Sequence, residues 1–467
     1  MFSAAPHRTP LVIWPVPAIA ALILALVFAP GATTAALQIT LTLLFLGWIA
    51  LRVAGAFTPR SLQPPERHID LLPSYTVIVP LHREAHVLPG LVAALRALDY
   101  PREKLQIILA LEHDDFETQF AAEFLHLDSR FEIVIVPAIG PRTKPKALNA
   151  ALPFARGAYT VVYDAEDRPE PNQLRRALDA FGAGGKRLAC VQAAPTIDNT
   201  RDGWLARLFT VEYASQFDVL LPGFAALKLP ILLGGSSNHF VTATLRRIGA
   251  WDPYNVTEDA DLGMRLARLG HRTATIVSTT YEEAPAKLLP WLRQRTRWFK
   301  GWMKTYMVHM RQPRRLIREV GGAGFAAFQF TIAGTVLSAL VQPILLLLIA
   351  AGLADVPFIG ARGDAVGRTL LWAHGCALIG GYATTIVLAL IGLRRRLLSN
   401  AWMLALMPLL WMLLSVAAWR ALIQLALDPY RWEKTDHGLA RTSRCGAVPP
   451  EVRDSAEDRL PPLRVAA

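Results

Sequence analysis

The 467-residue chain is short of cysteine, of charge and of acid. Its three cysteines, Cys190, Cys376 and Cys445, lie far apart, with no Cys-x-x-Cys and no Cys/His metal spacing. That excludes a disulfide framework and a zinc site, and it fits a reducing compartment. Charged residues make up 18% of the chain against 53% hydrophobic ones. A purely soluble protein of two or three domains does not have that balance. Asp and Glu number 37 against 49 Lys and Arg, a net charge of +12. No basic arm or nucleic-acid motif accompanies this surplus, so it points to anionic lipid and anionic substrates and away from nucleic acid. Internal repeats and long low-complexity segments are also missing.

Long apolar runs are abundant. Those at 11–30 and 34–55 are each about long enough to cross a hydrocarbon core of roughly 30 Å. His7 and Arg8 before the first run suggest a signal peptide; the second run, following almost at once, makes a helical hairpin the better reading. Its link, Gly31-Ala32-Thr33, is uncharged, whereas Arg52, Arg60 and Arg67 follow. The positive-inside bias then places the N-terminus and the segment after the hairpin in the cytoplasm. The expected organisation is a hairpin at 1–55, a linker at 56–74 with Pro64 and Pro65, and a soluble α/β domain at 75–303. A basic amphipathic interface region at 304–324, apolar helices across 325–427 and a basic, partly disordered tail at 428–467 complete it.

Within the soluble part, strand-like runs at 75–80, 105–111, 131–136, 159–163 and 188–192 alternate with helical patterns at 87–98, 116–127, 146–155 and 171–181. This predicts a doubly wound, mostly parallel sheet, with ligands beyond the carboxyl ends of its strands. Three apolar runs follow, at 325–353, 370–393 and 401–425. Arg394-Arg395-Arg396 places the connection before the last run in the cytoplasm, as does the basic tail at 431–444. Three crossings would put that tail outside. Either one run hides an interfacial helix or a hairpin, or the charge rule fails here.

Polar residues in the soluble part carry the chemistry. Asp164-Ala165-Glu166-Asp167 follows the run Tyr159-Thr160-Val161-Val162-Tyr163. Carboxylates at a sheet's carboxyl edge suit Mg²⁺ or Mn²⁺ bridging to a diphosphate; an acidic turn can also simply be solvated. Thr257-Glu258-Asp259-Ala260-Asp261 opens a helical stretch, as a cap and as a way of fixing a carboxylate's direction. Asp259 is assigned as general base toward an acceptor hydroxyl. Gln294, Arg297 and Trp298 fall at i, i+3 and i+4, which sets two polar donors and an indole on one helical face. That face suits a diphosphate leaving group and a stacked sugar ring; a membrane-interface belt needs no such polar face. Lys144 at a helix start suits phosphate or is a surface lysine. Gly234-Gly235-Ser236-Ser237-Asn238 lets backbone approach a ligand or is a turn. His239 reads as structural.

The ordered set Glu84, Glu112, Lys144, Asp164-x-Glu166, Thr257-Glu258-Asp259 and Gln294-x-x-Arg297-Trp298 resembles family 2 glycosyltransferases over about residues 70–310. The closest likeness is to the membrane-embedded, processive cellulose, chitin and hyaluronan synthases, within a cellulose-synthase-like branch. The resemblance implies a GT-A fold, inverting transfer, a nucleotide-sugar donor (most often UDP-linked) and Mg²⁺ or Mn²⁺. It places Glu84 and Glu112 at the uridine and Lys144 at the nucleotide-side phosphate. Asp164 and Glu166 serve the metal and diphosphate, Asp259 is the base, and Glu258, Gln294, Arg297 and Trp298 lie at the diphosphate and acceptor. Two departures stand out: Glu112 and Glu166 where Asp is usual, with Asp167 adjacent to share the metal's work. The implied setting is a bacterial inner membrane with a cytoplasmic catalytic domain, a glycan or lipid-linked acceptor, contact with membrane lipid, and export or accessory subunits. Trp372, Trp402, Trp411 and Trp419 are candidates for lining a glycan path or for an interfacial belt, with Arg420 and His374 as further pathway candidates. The rivals are a non-processive transferase acting on a lipid carrier, a receptor or secretion-complex subunit with a transferase-like domain, and, more weakly, a transporter.

Overall fold

The computed structural model describes residues 3–5, 16–59, 72–353, 365–393, 398–431, 433, 438 and 440–443. His7, Arg8, Arg60, Pro64, Pro65, Arg67, the Arg394-Arg395-Arg396 run and the tail from Gly446 lie outside the described residues.

The first elements are α1 (Val16–Phe28) and α2 (Pro30–Phe57). Next come β1 (Tyr75–Leu81), α3 (Leu88–Arg96), β2 (Leu105–Glu112), α4 (Phe116–Phe124), β3 (Phe131–Val136), α5 (Lys144–Ala151), β4 (Tyr159–Val162), β5 (Arg168–Pro169) and α6 (Gln173–Gly184). The chain continues through β6 (Leu188–Ile197), α7 (Trp204–Tyr213), a π-helical stretch Ala214–Leu220, α8 (Leu221–Ala226), β7 (Asn238–Val241), α9 (Thr242–Arg247), α10 (Glu258–Arg268) and β8 (Arg272–Glu282). It ends with α11 (Leu288–His309), α12 (Pro313–Phe328), α13 (Gly334–Leu353), α14 (Ala365–Leu393) and α15 (Met407–Leu427).

The sheet has eight strands in the order β3-β2-β1-β4-β7-β6-β8-β5. β1, β2, β3 and β4 run parallel, but β7 is antiparallel to both β4 and β6, and β5 is antiparallel to β8. The sheet is therefore mixed: four of its seven pairings are parallel, as expected, and the antiparallel β5 and β7 are what the expectation left out. Four residues of β7 directly after a Gly-Ser turn carry too little periodicity to be read as a strand. The reversal has a consequence for the site. Asn238, the first residue of β7, pairs with Val162, the last of β4. Gly234–Ser237 consequently sits at the same sheet edge as the carboxyl ends of β1, β2, β4, β6 and β8.

Apolar residues cover both sheet faces. Val77, Val79, Ile107 and Leu109 pack with Leu88, Leu91 and Leu174 on one side. Ile78, Ile108, Ala110 and Phe240 pack with Leu148, Trp251 and Leu262 on the other, a cluster that reaches Phe224 of α8 and Leu388 of α14. His239 is fully buried and bonds the Tyr75 hydroxyl at 2.7 Å. Burial lowers its pKa to about 3, so it is a neutral structural side chain.

Among the described residues, four helices are long and apolar enough to cross a membrane: Pro30–Phe57, Pro313–Leu347, Gly367–Leu393 and Trp402–Leu427. The described part of α1 has 13 residues, about 20 Å of helix. The turn between α1 and α2 falls at Ala29-Pro30, and the expected link Gly31-Ala32-Thr33 is helical. Pro30 starts the helix because its missing N–H and fixed φ suit the first helical position.

α15 lies alongside α11. Met407 and Leu410 pack with Trp291 near the start of α11, and Ala421 and Leu425 pack with Phe299 and Met303 farther along it. Beyond α15 the chain stays on the α/β domain. Tyr430 donates to Ala4 O at 3.0 Å, Gly438 N–H donates to Glu283 at 2.8 Å, and Arg441 N–H donates to Asp202 at 2.7 Å.

The expected basic interface region at 304–324 is divided between two helices. α11 ends at His309, and Pro313 opens α12, which kinks at Gly321 with φ +74°. Lys300 and Lys304 are buried. Lys300 donates to Arg431 O at 2.6 Å and Lys304 to Tyr254 O at 3.1 Å. These lysines clamp the tail and the α10 approach; they do not face a lipid surface.

Candidate active site

A cavity of about 900 Å³ opens at the shared sheet edge and continues between the apolar helices. All ten residues singled out in the sequence line it: Glu84, Glu112, Lys144, Asp164, Glu166, Glu258, Asp259, Gln294, Arg297 and Trp298. They come from six places in the fold. Glu84 follows β1, Glu112 ends β2, Lys144 starts α5, and Asp164 and Glu166 follow β4. Glu258 and Asp259 start α10, and the last three project from α11.

Gly235 is where the charged groups meet. A Cβ built there would stand 3.4 Å from Asp259 Oδ2, 3.8 Å from Lys144 Nζ and 3.9 Å from Asp164 Oδ2. Lys144 is ion-paired with Asp164 and donates to Gly235 O at 2.7 Å. Gln192 holds this turn in place, accepting from Gly234 N–H at 2.9 Å and donating to Ser236 O at 2.8 Å. The Gly-Gly-Ser turn therefore brings backbone against the site.

Asp167 does not share the ligand face. It is fully buried and accepts the Asp164 N–H at 2.7 Å and the Ser236 hydroxyl. Burial, then the charges of Asp164 and Glu166, push its pKa well above the usual range. Through its Oδ2 it ties the acidic loop to the Gly-Ser turn.

Glu258 and Asp259 are held in low-polarity surroundings at the first turn of α10. Burial and the neighbouring Asp259 charge raise Glu258 to about 7. Burial raises Asp259 to about 6, partly offset by the Ala260 N–H at 2.7 Å and by the charges of Lys144 and Arg297. A carboxylate tuned near neutrality suits proton abstraction. Around Lys144, burial works against the ammonium, but Asp164, Glu258 and Asp259 more than offset it and raise its pKa.

α11 is pinned against this start. Gly301 faces Thr257 so closely that a Cβ would overlap its side chain. Gly301→Ala is therefore expected to displace the Glu258-Asp259 turn and cut turnover by about a hundredfold, with little change in nucleotide affinity; steady-state kinetics beside nucleotide titration would read it. On the neighbouring face Arg295 forms a two-armed ion pair with Glu212 at 2.6 and 3.3 Å. Its guanidinium lies 4.4 Å from the Phe209 ring centre and 4.6 Å from that of Trp298, which fixes the indole. Gln294 is buried, and its amide oxygen has no hydrogen-bond partner.

The sequence reading missed Glu282, Glu212 and Arg295. Glu282 ends β8 and lines the cavity. Burial, then the charges of Asp167, Glu166 and Asp164, raise its pKa well above normal. Its signal was available: a carboxylate closing a strand, the pattern that marked Asp164. Arg295 had no separate signal, because its role depends on rings from α7.

The donor set fits a hard divalent cation. Asp164, Glu166 and Glu282 line the same cavity, close enough for their charges to act on one another; carboxylate oxygens suit Mg²⁺ or Mn²⁺. Glu112, His113 and Asp114 also gather within 4.8 Å of one another. There, Glu112 is paired with Lys146 at 3.0 Å and Asp114 with Arg142 at 2.8 Å, as Asp164 is with Lys144.

Of the four tryptophans, Trp411 lines the cavity and stacks on Tyr382 at 4.1 Å. Trp372, Trp402 and Trp419 are 76%, 59% and 44% exposed and do not line it. Arg420 pairs with Glu433 at 2.5 and 2.7 Å, and neither it nor His374 lines the cavity.

Comparison with known proteins bears on the family and the fold. Residues 159–359 match the family described as "Glycosyl transferase family group 2"; Glu84, Glu112 and Lys144 lie before the matched region. The chain is 23% identical over 283 residues to the β-monoglucosyldiacylglycerol synthase of Synechocystis, covering 56% of this chain and 58% of the relative. It is 23% identical over 239 residues to the poly-β-1,6-N-acetyl-D-glucosamine synthase of Staphylococcus aureus, covering 51% and 56%. The match thus spans just over half the length of these curated relatives. A mannosyltransferase from Pyrobaculum calidifontis, solved with GDP-Man and Mn²⁺, superposes with a TM-score of 0.55 at 18% identity, covering 84% of this chain and 99% of that one. At that identity the likeness concerns the fold, a mixed α/β sheet consistent with GT-A. Residues 159–359 thus match a family 2 glycosyltransferase domain, and relatives that the chain resembles are named glycosyltransferases.

Proposed function

We propose that this protein is a membrane-bound inverting glycosyltransferase that moves a sugar from a nucleotide-diphosphate donor, UDP-linked, onto a growing β-linked glycan. The observation that carries the reading is the convergence of ten dispersed residues on one cavity that runs on between apolar helices. Glu84 and Glu112, at the ends of β1 and β2, take the nucleoside, and Lys144 takes the nucleotide-side phosphate. Asp164 and Glu166 would hold Mg²⁺ or Mn²⁺, which when bound neutralises charge developing on the diphosphate.

Asp259 removes the proton from the acceptor hydroxyl, which attacks the anomeric carbon opposite the leaving group. Arg297 and Gln294 donate to the departing diphosphate and the acceptor, and Glu258 helps to place the acceptor beside them. The indole of Trp298 stacks on the acceptor ring. A sugar hydroxyl would also supply the donor that the Gln294 amide oxygen lacks. Thr331, Thr335, Ser338 and Gln342 line the helix-side part of the cavity. Their spacing sets hydroxyls and an amide along one face of the α13 region, which suits a glycan leaving toward the helices. The catalytic domain is placed in the cytoplasm of a bacterial cell, with export or accessory subunits as further partners.

Incubating nanodisc-embedded protein with a panel of radiolabelled nucleotide sugars and Mg²⁺ or Mn²⁺, then sizing products, tests this. Long products support processive synthesis, single additions support the lipid-carrier reading, and no turnover with any donor removes both. Because the base must be ionised, kcat/KM is expected to rise with pH through about 6 and level off above it. A profile flat from pH 5 to 8 would take Asp259 out of that role.

A further inference from the structure

α2 presents Phe45, Trp48, Ile49 and Arg52 to the cavity, a spacing that keeps them on one helical face. Arg52 therefore points inward, between helices otherwise apolar, and not outward toward a surface. Its Nη2 donates to the Thr385 hydroxyl of α14 at 3.1 Å, and its guanidinium lies 5.6 Å from the Trp48 ring centre. Its Nε is buried without a hydrogen-bond partner. Among the described residues no carboxylate pairs with it. A guanidinium that is retained among apolar helices and faces a cavity without a counter-ion is costly unless a ligand supplies the charge.

Its depth is informative. Gly55, about one helical turn farther on, packs against Phe224 and Gly223 of α8. Arg52 thus lies close to where α2 meets the α/β domain, at the junction of the polar and helix-lined halves of the cavity. A planar, forked donor matches a phosphate group. An acyl or prenyl chain attached to that phosphate would find Ile49 beside it, with Ala377 and Leu378 of α14 lining the same cavity.

We propose that Arg52, steadied by Thr385 and Trp48, is a phosphate-binding subsite for a lipid-borne acceptor. It holds the phosphate at the helix junction, with the lipid chain between α2 and α14 and the reacting hydroxyl directed toward Asp259. The proposal rests on the reading of this cavity as the transfer site, and it selects a phosphate-bearing lipid acceptor over a free glycan.

The test uses the full chain in dodecyl maltoside, with native mass spectrometry of bound phosphatidic acid, diacylglycerol and inorganic phosphate. Phosphatidic acid is expected to be retained at least about tenfold more tightly than diacylglycerol. Arg52→Gln should erase that preference, and Arg52→Lys and Thr385→Val should each keep part of it. Equal retention of the two lipids by the unaltered protein, or an unchanged preference in Arg52→Gln, overturns the subsite. Inorganic phosphate bound as tightly as phosphatidic acid would overturn the lipid assignment. UDP with Mn²⁺ serves as the parallel probe. UDP binding without lipid discrimination sinks this inference alone, whereas failure of the unaltered protein to bind any nucleotide diphosphate sinks the transfer-site reading. Should Arg52→Gln lose UDP binding through misfolding, Arg52→Lys and Thr385→Val still decide the matter.

Discussion

Replacing Asp259 by asparagine is expected to lower sugar transfer by about 10²- to 10⁴-fold while leaving nucleotide binding within a few fold. The carboxylate lies in the first turn of α10, half-buried, with its pKa raised to about 6 and its direction set by the Ala260 N–H. Asparagine keeps the size and can still accept from Ala260, but it cannot take a proton. The neighbouring Glu258 does not substitute, because burial and the Asp259 charge raise its pKa to about 7 and its direction differs by one helical position. Donor titration beside single-turnover kinetics separates the two effects. Transfer retained within tenfold would show that another group accepts the proton.

Asp164→Asn is expected to cost about 10²- to 10³-fold in turnover, and here nucleotide affinity should fall as well. Asp164 is the ion-pair partner of Lys144 and, with Glu166 and Glu282, one of three carboxylates that suit a divalent cation. Removing its charge leaves Lys144 without that partner and reduces the negative charge that would attract the cation. The expected signature is a raised Mn²⁺ requirement together with a raised donor KM, unlike the Asp259 variant, in which only turnover drops. An Asp164→Asn enzyme with an unchanged Mn²⁺ requirement would place the ion elsewhere, with Glu112, His113 and Asp114 as the next group to substitute.

Much of this was legible in the sequence, for identifiable reasons. β1, β2, β3, β4 and the start of β6 are dense apolar runs, and their burial needs no knowledge of partners. The acidic residues that follow them stand at the sheet's carboxyl edge by geometry alone. Three things were not legible. The antiparallel β7 is four residues long and follows Gly-Gly-Ser-Ser, so local pattern gives a turn; only pairing with both β4 and β6 makes it a strand. The turn in of Asp167 depends on Ser236, almost seventy residues away. Lys300 and Lys304 look like interfacial cations until Arg431 O and Tyr254 O are seen to accept from them. The contacts of the tail residues at Ala4, Glu283 and Asp202 were likewise beyond the reach of counting hydrophobic runs.

The most direct measurement is an experimental structure of the full chain in nanodiscs with UDP and Mn²⁺. The diphosphate and ion are expected beside Asp164, Lys144 and Gly235, with the Arg297 side chain turned toward the terminal phosphate and the space next to Asp259 and Trp298 left open for an acceptor. Nucleotide density away from this sheet edge, or an ion with no contact to Asp164 or Glu166, would contradict the account.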